Sequence, residues 1–138
     1  MDRTTGYSGT PLPKKLGFTP GTHVLLVAAP DHYEHLLAEA EGVTFVSDQD
    51  VGHLDAAHVF LWGPDGVAEQ AADAISRLRP GGMLWLSWAK KTSSLHAGVT
   101  EDDLRRHILP LGWVDVKVCA VDADWSGLKF LKRKEKRG

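Results

Sequence analysis

Three short segments hold side chains suited to recognising a small anionic or nucleoside-like ligand. They are Ala29-Pro30-Asp31-His32, Trp62-Gly63-Pro64-Asp65, and Ser87-Trp88 with Lys90, Lys91, Thr92 and Ser93 just beyond. Trp62 and Trp88 offer flat faces for a ring to stack on, and Lys90 and Lys91 can neutralise a phosphate or carboxylate. Pro30, Asp31, His32 and Ser87 complete that candidate ligand set, and Lys14 and Lys15 near the amino terminus add two further cations. A plainer reading of the same residues makes the tryptophans core closures and the lysines solvated.

Other reactive residue types form weaker patterns. His32 and His35 share one face of an expected helix, but no third ligand is tied to them by spacing. With His53, His58 and His107 they therefore read as scattered surface histidines, and no metal site is expected. Cys119 is the only cysteine. It becomes a nucleophile only where a neighbouring base or cation lowers its pKa, and Lys117 shares its expected strand face. Asp115 with Lys117, and Asp122 and Asp124 before Trp125, equally suit edge protection and turn formation.

The elements that must position these residues alternate regularly. Residues 1–22 carry Gly6, Gly9, Pro11, Pro13, Gly17, Pro20 and Gly21 and read as an ordered N-terminal arm, with one helical turn over Leu12–Leu16 stopped by Gly17. This arm either folds over the ligand crevice as a lid or docks on the body and covers apolar surface. Residues 23–138 read as one α/β domain. Val24–Ala28 is a continuous apolar run suited to a strand buried on both faces. Asp31 and Glu34 form an expected capping box for a helix over Tyr33–Glu41, ended by Gly42. Short strands over Val43–Val46 and Ala57–Trp62 flank an acidic, irregular stretch. A helix over Gly66–Leu78 buries Val67, Ala71, Ala74, Ile75 and Leu78, and Arg79-Pro80-Gly81-Gly82 breaks the chain. A buried strand over Met83–Trp88 follows, then a helix opened by Thr100 and Asp103. The last elements are an alternating edge strand over Trp113–Val121 and a strand over Ser126–Leu131, paired as an antiparallel hairpin.

This order predicts a three-layer, Rossmann-like α/β fold whose sheet is mostly parallel with a C-terminal antiparallel hairpin. The Arg-Pro-Gly-Gly turn, the strand after it and the final hairpin resemble the second half of a class I adenosylmethionine-dependent methyltransferase. The first half is reduced, because Val46 to Ala57 leaves too few residues for the extra helix, strand and helix of that family. In addition, GYSGTPLPKKLG from Gly6, LWLSWAKK from Leu84 and VDVKVCAVDADWSGLKF from Val114 resemble a family of small bacterial proteins of unknown function. One departure is Ala89, where that resemblance implies proline.

Cofactor use follows from the first turn. Dinucleotide and adenosylmethionine sites use glycines there, so that the backbone bends sharply and its amides meet the ligand. Here Ala28, Ala29 and Pro30 stand instead, and Pro30 has no amide hydrogen. No cofactor is therefore expected, and adenosylmethionine is disfavoured. Its best surviving support is Asp48, about twenty residues beyond Ala28, where an acidic ribose-binding residue belongs. The expectation is a small-ligand or protein-partner binding protein on a degenerate methyltransferase-like fold, with a divergent methyltransferase as the alternative.

Bulk properties narrow the class. The 138 residues, 43% hydrophobic, suit one domain with a real core. No apolar run approaches the roughly 20 residues of a membrane helix, and no signal-peptide pattern opens the chain, so a cytoplasmic protein without membrane contact is expected. Residues 125–138 hold six cations against Glu135, a net charge of +5, leaving −7 on the rest of a chain whose total is −2. That basic end suggests a third reading, nucleic-acid binding, which no standard motif accompanies.

Overall fold

The computed structural model describes residues 11–38, 40–47 and 52–134. Its elements are α1 (Leu12–Leu16), β1 (His23–Val27), α2 (Tyr33–Leu36), β2 (Thr44–Val46), β3 (Leu54–Leu61), α3 (Val67–Ser76), β4 (Leu78–Ala89), α4 (Glu101–Ile108), β5 (Trp113–Ala120) and β6 (Trp125–Lys132). The sheet order is β2-β1-β3-β4-β6-β5. β1 to β4 run parallel, and β6 is antiparallel to both β4 and β5. This is the mixed sheet that the element order predicts.

Apolar side chains cover both faces of the sheet. On one face Ala57, Val59, Leu84 and Leu86 pack beneath α3 and α4, through Ala71, Ala74, Leu104 and Ile108. On the other, Val24, Phe60 and Trp85 meet Leu16 and Phe18 of the arm and Tyr33 of α2. The described part of the arm therefore docks on the body. Leu16 is fully buried, and the Trp85 indole donates to the Leu16 carbonyl at 2.9 Å.

Local chemistry explains the boundaries. α4 opens on the expected capping box: Thr100 Oγ1 accepts from the Asp103 amide, and Asp103 accepts from the Thr100 amide. Arg79 to Gly82 bulge out of β4, since Leu54 pairs with Leu78 while Ala56 pairs with Met83. Asp55 anchors this bulge by accepting from Arg79 Nε at 2.6 Å and from the His23 amide at 2.8 Å. The Arg79 guanidinium holds the Asp55 carboxyl below its ordinary pKa. Glycine at position 82 suits this close approach, since a Cβ there would meet the Arg79 carbonyl at 3.0 Å and the Asp55 carbonyl at 3.2 Å, and one of them would have to give.

Three expectations need correction. The helix expected over Tyr33–Glu41 is only α2, because the Asp31 capping box does not form and His32 is the N-cap without a side-chain bond. The Ala38 and Ala40 amides then reach back only three residues, to His35 and Leu37, so the chain leaves the α-helical ladder. In β5 the register shifts between Asp115 and Lys117, which makes Val116 the extra residue of a bulge. As a result Asp115 faces α4, where it accepts from Arg105 Nε, whereas Lys117 faces α1 and donates to the Lys15 carbonyl. The simple alternation had put these two on one face. Finally, the strand expected over Met83–Trp88 runs one residue further, to Ala89, which pairs with Trp125.

Candidate functional site

β1 and β3 are neighbours, but the chain leaves β1 towards β2 and leaves β3 towards β4. Ligands of open α/β sheets bind outside the carboxyl ends of the strands at such a reversal. Here Ala28 follows β1 with φ of 57°, the left-handed conformation that glycine adopts most easily. The sharp turn is thus retained with an alanine in it. Across from it, directly after β3, Trp62 donates its indole N–H to the Ala28 carbonyl at 2.6 Å. The Trp62 ring also meets Trp125 edge to face, with centroids 4.9 Å apart, and stays 48% exposed. One bulky side chain is pinned over the reversal point.

The β5–β6 turn closes the same end. Asp122 Oδ1 accepts from the amides of Asp124 and Trp125, both at 2.8 Å, which makes the turn an Asx turn. Its other oxygen lies 2.7 Å from His32 Nε2. Lys90 donates from Nζ to the Asp122 carbonyl at 2.7 Å and from its amide to the Asp124 carbonyl at 2.8 Å. Ser93 Oγ reaches Asp124 Oδ1 at 2.9 Å. These groups tie the loops after β1 and β4 to the hairpin turn.

The sequence-derived candidates accordingly separate. Asp31, His32, Trp62 and Lys90 share the carboxyl-end rim, where Pro30 is buried at the start of the α2 turn and its carbonyl accepts from Tyr33. Trp88 is nearly buried on the α3–α4 face. With Lys91, Val99, Thr100 and Arg105 it lines a groove of about 320 Å³ at the start of α4. Lys90 and Lys91 therefore point to different places. Lys14 and Lys15 sit on α1, away from that rim, and Lys14 lines a groove of about 360 Å³ with Pro20, Ala40 and Glu41. Asp48 lies outside the described residues.

Ser87 and His58 belong to an arrangement that sequence reasoning missed. His58 is fully buried in β3, which corrects its reading as a surface histidine. Its Nδ1 lies 2.9 Å from Tyr33 Oη and its Nε2 lies 2.7 Å from Ser87 Oγ, and both partners are buried. Burial lowers the His58 pKa from 6.5 to about 3, and burial likewise pushes the Tyr33 phenol far up. The imidazole is therefore neutral. It donates from one nitrogen and accepts at the other, as a bridge between α2 and β4. A signal for this existed: His58 interrupts the apolar run of a strand covered on both faces, a place where an unpaired histidine is costly.

Comparison with known proteins gives the fold its context. No family model matches the sequence, and no curated protein matches it. Among solved structures, a SAM-dependent methyltransferase from Aquifex aeolicus superposes with a TM-score of 0.59 at 12% identity, covering 87% of each chain. The Burkholderia thailandensis 1,6-didemethyltoxoflavin-N1-methyltransferase, solved with S-adenosylhomocysteine, gives 0.54 at 17% identity over 89% of this chain and 75% of that one. The fold is that of the SAM-dependent methyltransferases. A putative type 11 methyltransferase from Sulfolobus solfataricus, at TM-score 0.54 and 15% identity, covers 92% of each chain and shares this methyltransferase-like fold. No described helix is long and apolar enough to cross a membrane.

Proposed function

We propose that this chain is a small-ligand or partner-binding protein that uses a methyltransferase-like fold without transferring a methyl group. The Trp62 indole seated on the Ala28 carbonyl carries this reading. A nucleoside cofactor at a strand reversal needs room beside the first turn and backbone amides facing it. Here that room holds an indole, and Pro30 has no amide hydrogen to offer. The half-exposed Trp62, on the same carboxyl-end rim as Asp31 and His32, is an amphipathic platform of the kind that recognises rings or partner surfaces.

The alternative, a divergent methyltransferase, draws support from the retained left-handed turn at Ala28 and from the structural likeness. It requires Trp62 to leave its bond. Calorimetric titration of the full chain with S-adenosylhomocysteine separates the two readings. The binding reading expects no heat at millimolar ligand, for wild type and Trp62→Gly alike. Saturable binding by wild type overturns it, and binding by Trp62→Gly alone identifies Trp62 as the sole block.

A further inference from the structure

The groove between the end of β4 and the start of α4 lies on the α3–α4 face of the sheet, opposite the face that holds Trp125. Its volume is about 320 Å³, and Trp88, Lys91, Thr100, Glu101, Asp102 and Arg105 line it. Trp88 is only 7% exposed, and its indole N–H has no acceptor among the described residues. That nitrogen is not sealed in the core either, because the sealed, unpaired side-chain nitrogen among the described residues is Trp125 Nε1. The small part of Trp88 that stays open therefore presents a hydrogen-bond donor to the groove.

Other donors at this place are also unanswered. Lys91 is exposed and has no ion-pair or hydrogen-bond partner among the described residues. The capping box uses the amides of Thr100 and Asp103, and the Leu104 amide bonds the Thr100 carbonyl, so the amides of Glu101 and Asp102 are left without acceptors. Acceptors stand beside these donors. Glu101 and Asp102 each place one carboxylate oxygen on Arg105 and keep the other unpaired, while Asp115 occupies Arg105 Nε. The charged side chains lining the groove are thus two cations and two anions. Such a balance disfavours phosphate, whose charge meets two carboxylates, and suits a ligand with one charge of each sign. The volume lies at the small end of the roughly 300–1,000 Å³ typical of ligand sites, which limits the ligand to a small molecule.

We propose that this groove binds a free α-amino acid. The ligand carboxylate accepts from the Trp88 indole, from Lys91 and from the unpaired amides that open α4, and the ligand ammonium donates to Glu101 and Asp102. The site is separate from the Trp62 rim and does not depend on the reading given to that rim.

The Trp88 indole N–H reports on the groove directly. Each standard L-amino acid is added at about 10 mM to the ¹⁵N-labelled full chain, at constant pH and ionic strength, and the Trp88 resonance is followed after assignment by its absence from Trp88→Phe. At least one amino acid should shift it saturably, together with the backbone amides of Glu101 and Asp102. Its N-acetyl derivative, which lacks the ammonium, should bind more weakly by about tenfold. Lys91→Gln, at an exposed position, should weaken the amino acid by about tenfold as well, and Lys117→Gln, on the opposite face, should leave its affinity unchanged. No response to any amino acid, or an undiminished response in Lys91→Gln, overturns the proposal. An equal response to the N-acetyl derivative or to inorganic phosphate overturns the assignment to a zwitterion. The Trp62 indole resonance is read in the same spectra, so a failure here is distinct from a failure at the rim.

Discussion

Ser87→Ala tests the buried Tyr33–His58–Ser87 chain. The substitution removes one partner of a fully buried, neutral imidazole whose Nε2 lies 2.7 Å from Ser87 Oγ. Leaving a buried polar nitrogen unpaired costs about 1–3 kcal/mol, and Tyr33→Phe should cost a similar amount at Nδ1. Replacing the whole chain, as Tyr33→Phe/His58→Leu/Ser87→Ala, removes every orphan and should recover most of the summed loss. Because folding holds the His58 pKa at about 3 against 6.5, the unfolded state binds the extra proton. Stability is therefore full above pH 6.5 and falls as pH drops towards 3, by up to about 1.4 kcal/mol per pH unit from this group. Asp55, held down first by its Arg79 hydrogen bond, and Asp103, held down first by the Thr100 amide, add their losses only below the ordinary carboxylate pKa of 3.8. Urea unfolding between pH 7 and about pH 4.5 thus isolates His58 among these groups. The triple variant should lose that pH slope. A Ser87→Ala change below about 0.3 kcal/mol, or an unaltered slope in the triple variant, would refute the reasoning.

Other perturbations follow from single geometric facts. Ala28→Gly relieves a left-handed alanine and should stabilise by about 0.5–1 kcal/mol in urea unfolding, whereas Ala28→Val should destabilise. Thr100→Ala removes the α4 capping box and should cost about 1 kcal/mol, seen as a lower midpoint at unchanged m-value. Gly127→Ala places a Cβ 3.1 Å from the Trp85 ring and 3.3 Å from Ser87 Oγ, and should lower stability by about 1–3 kcal/mol. Loss below about 0.3 kcal/mol there would mean that the β4–β6 contact gives way easily.

The fold could be read from the sequence wherever periodicity and punctuation agreed. The apolar runs of β1, β3 and β4, the Thr100–Asp103 box and the Asp122-Ala123-Asp124 turn all act through neighbours in the chain, so local reasoning reached them. The Val116 bulge could not be reached that way, because a strict two-residue period has no means of marking the extra residue. α2 was overestimated because His32, drawn to Asp122 far along the chain, supplies no cap. The site was only partly recoverable for the same reason. Asp31, His32, Trp62 and Lys90 do gather at the strand ends, as strand order requires. By contrast, the Trp62–Ala28 bond joins residues 34 apart, and the Lys117–Lys15 bond joins residues 102 apart.

The central claim is that Trp62 fills the strand reversal. The indole N–H resonances of the five tryptophans provide its most direct test, with ¹⁵N-labelled protein titrated with adenosylmethionine. The account predicts a Trp62 indole proton that exchanges slowly and keeps its position at millimolar ligand. A saturable shift of that resonance, with loss of its protection, would contradict the account and place a nucleoside at Ala28.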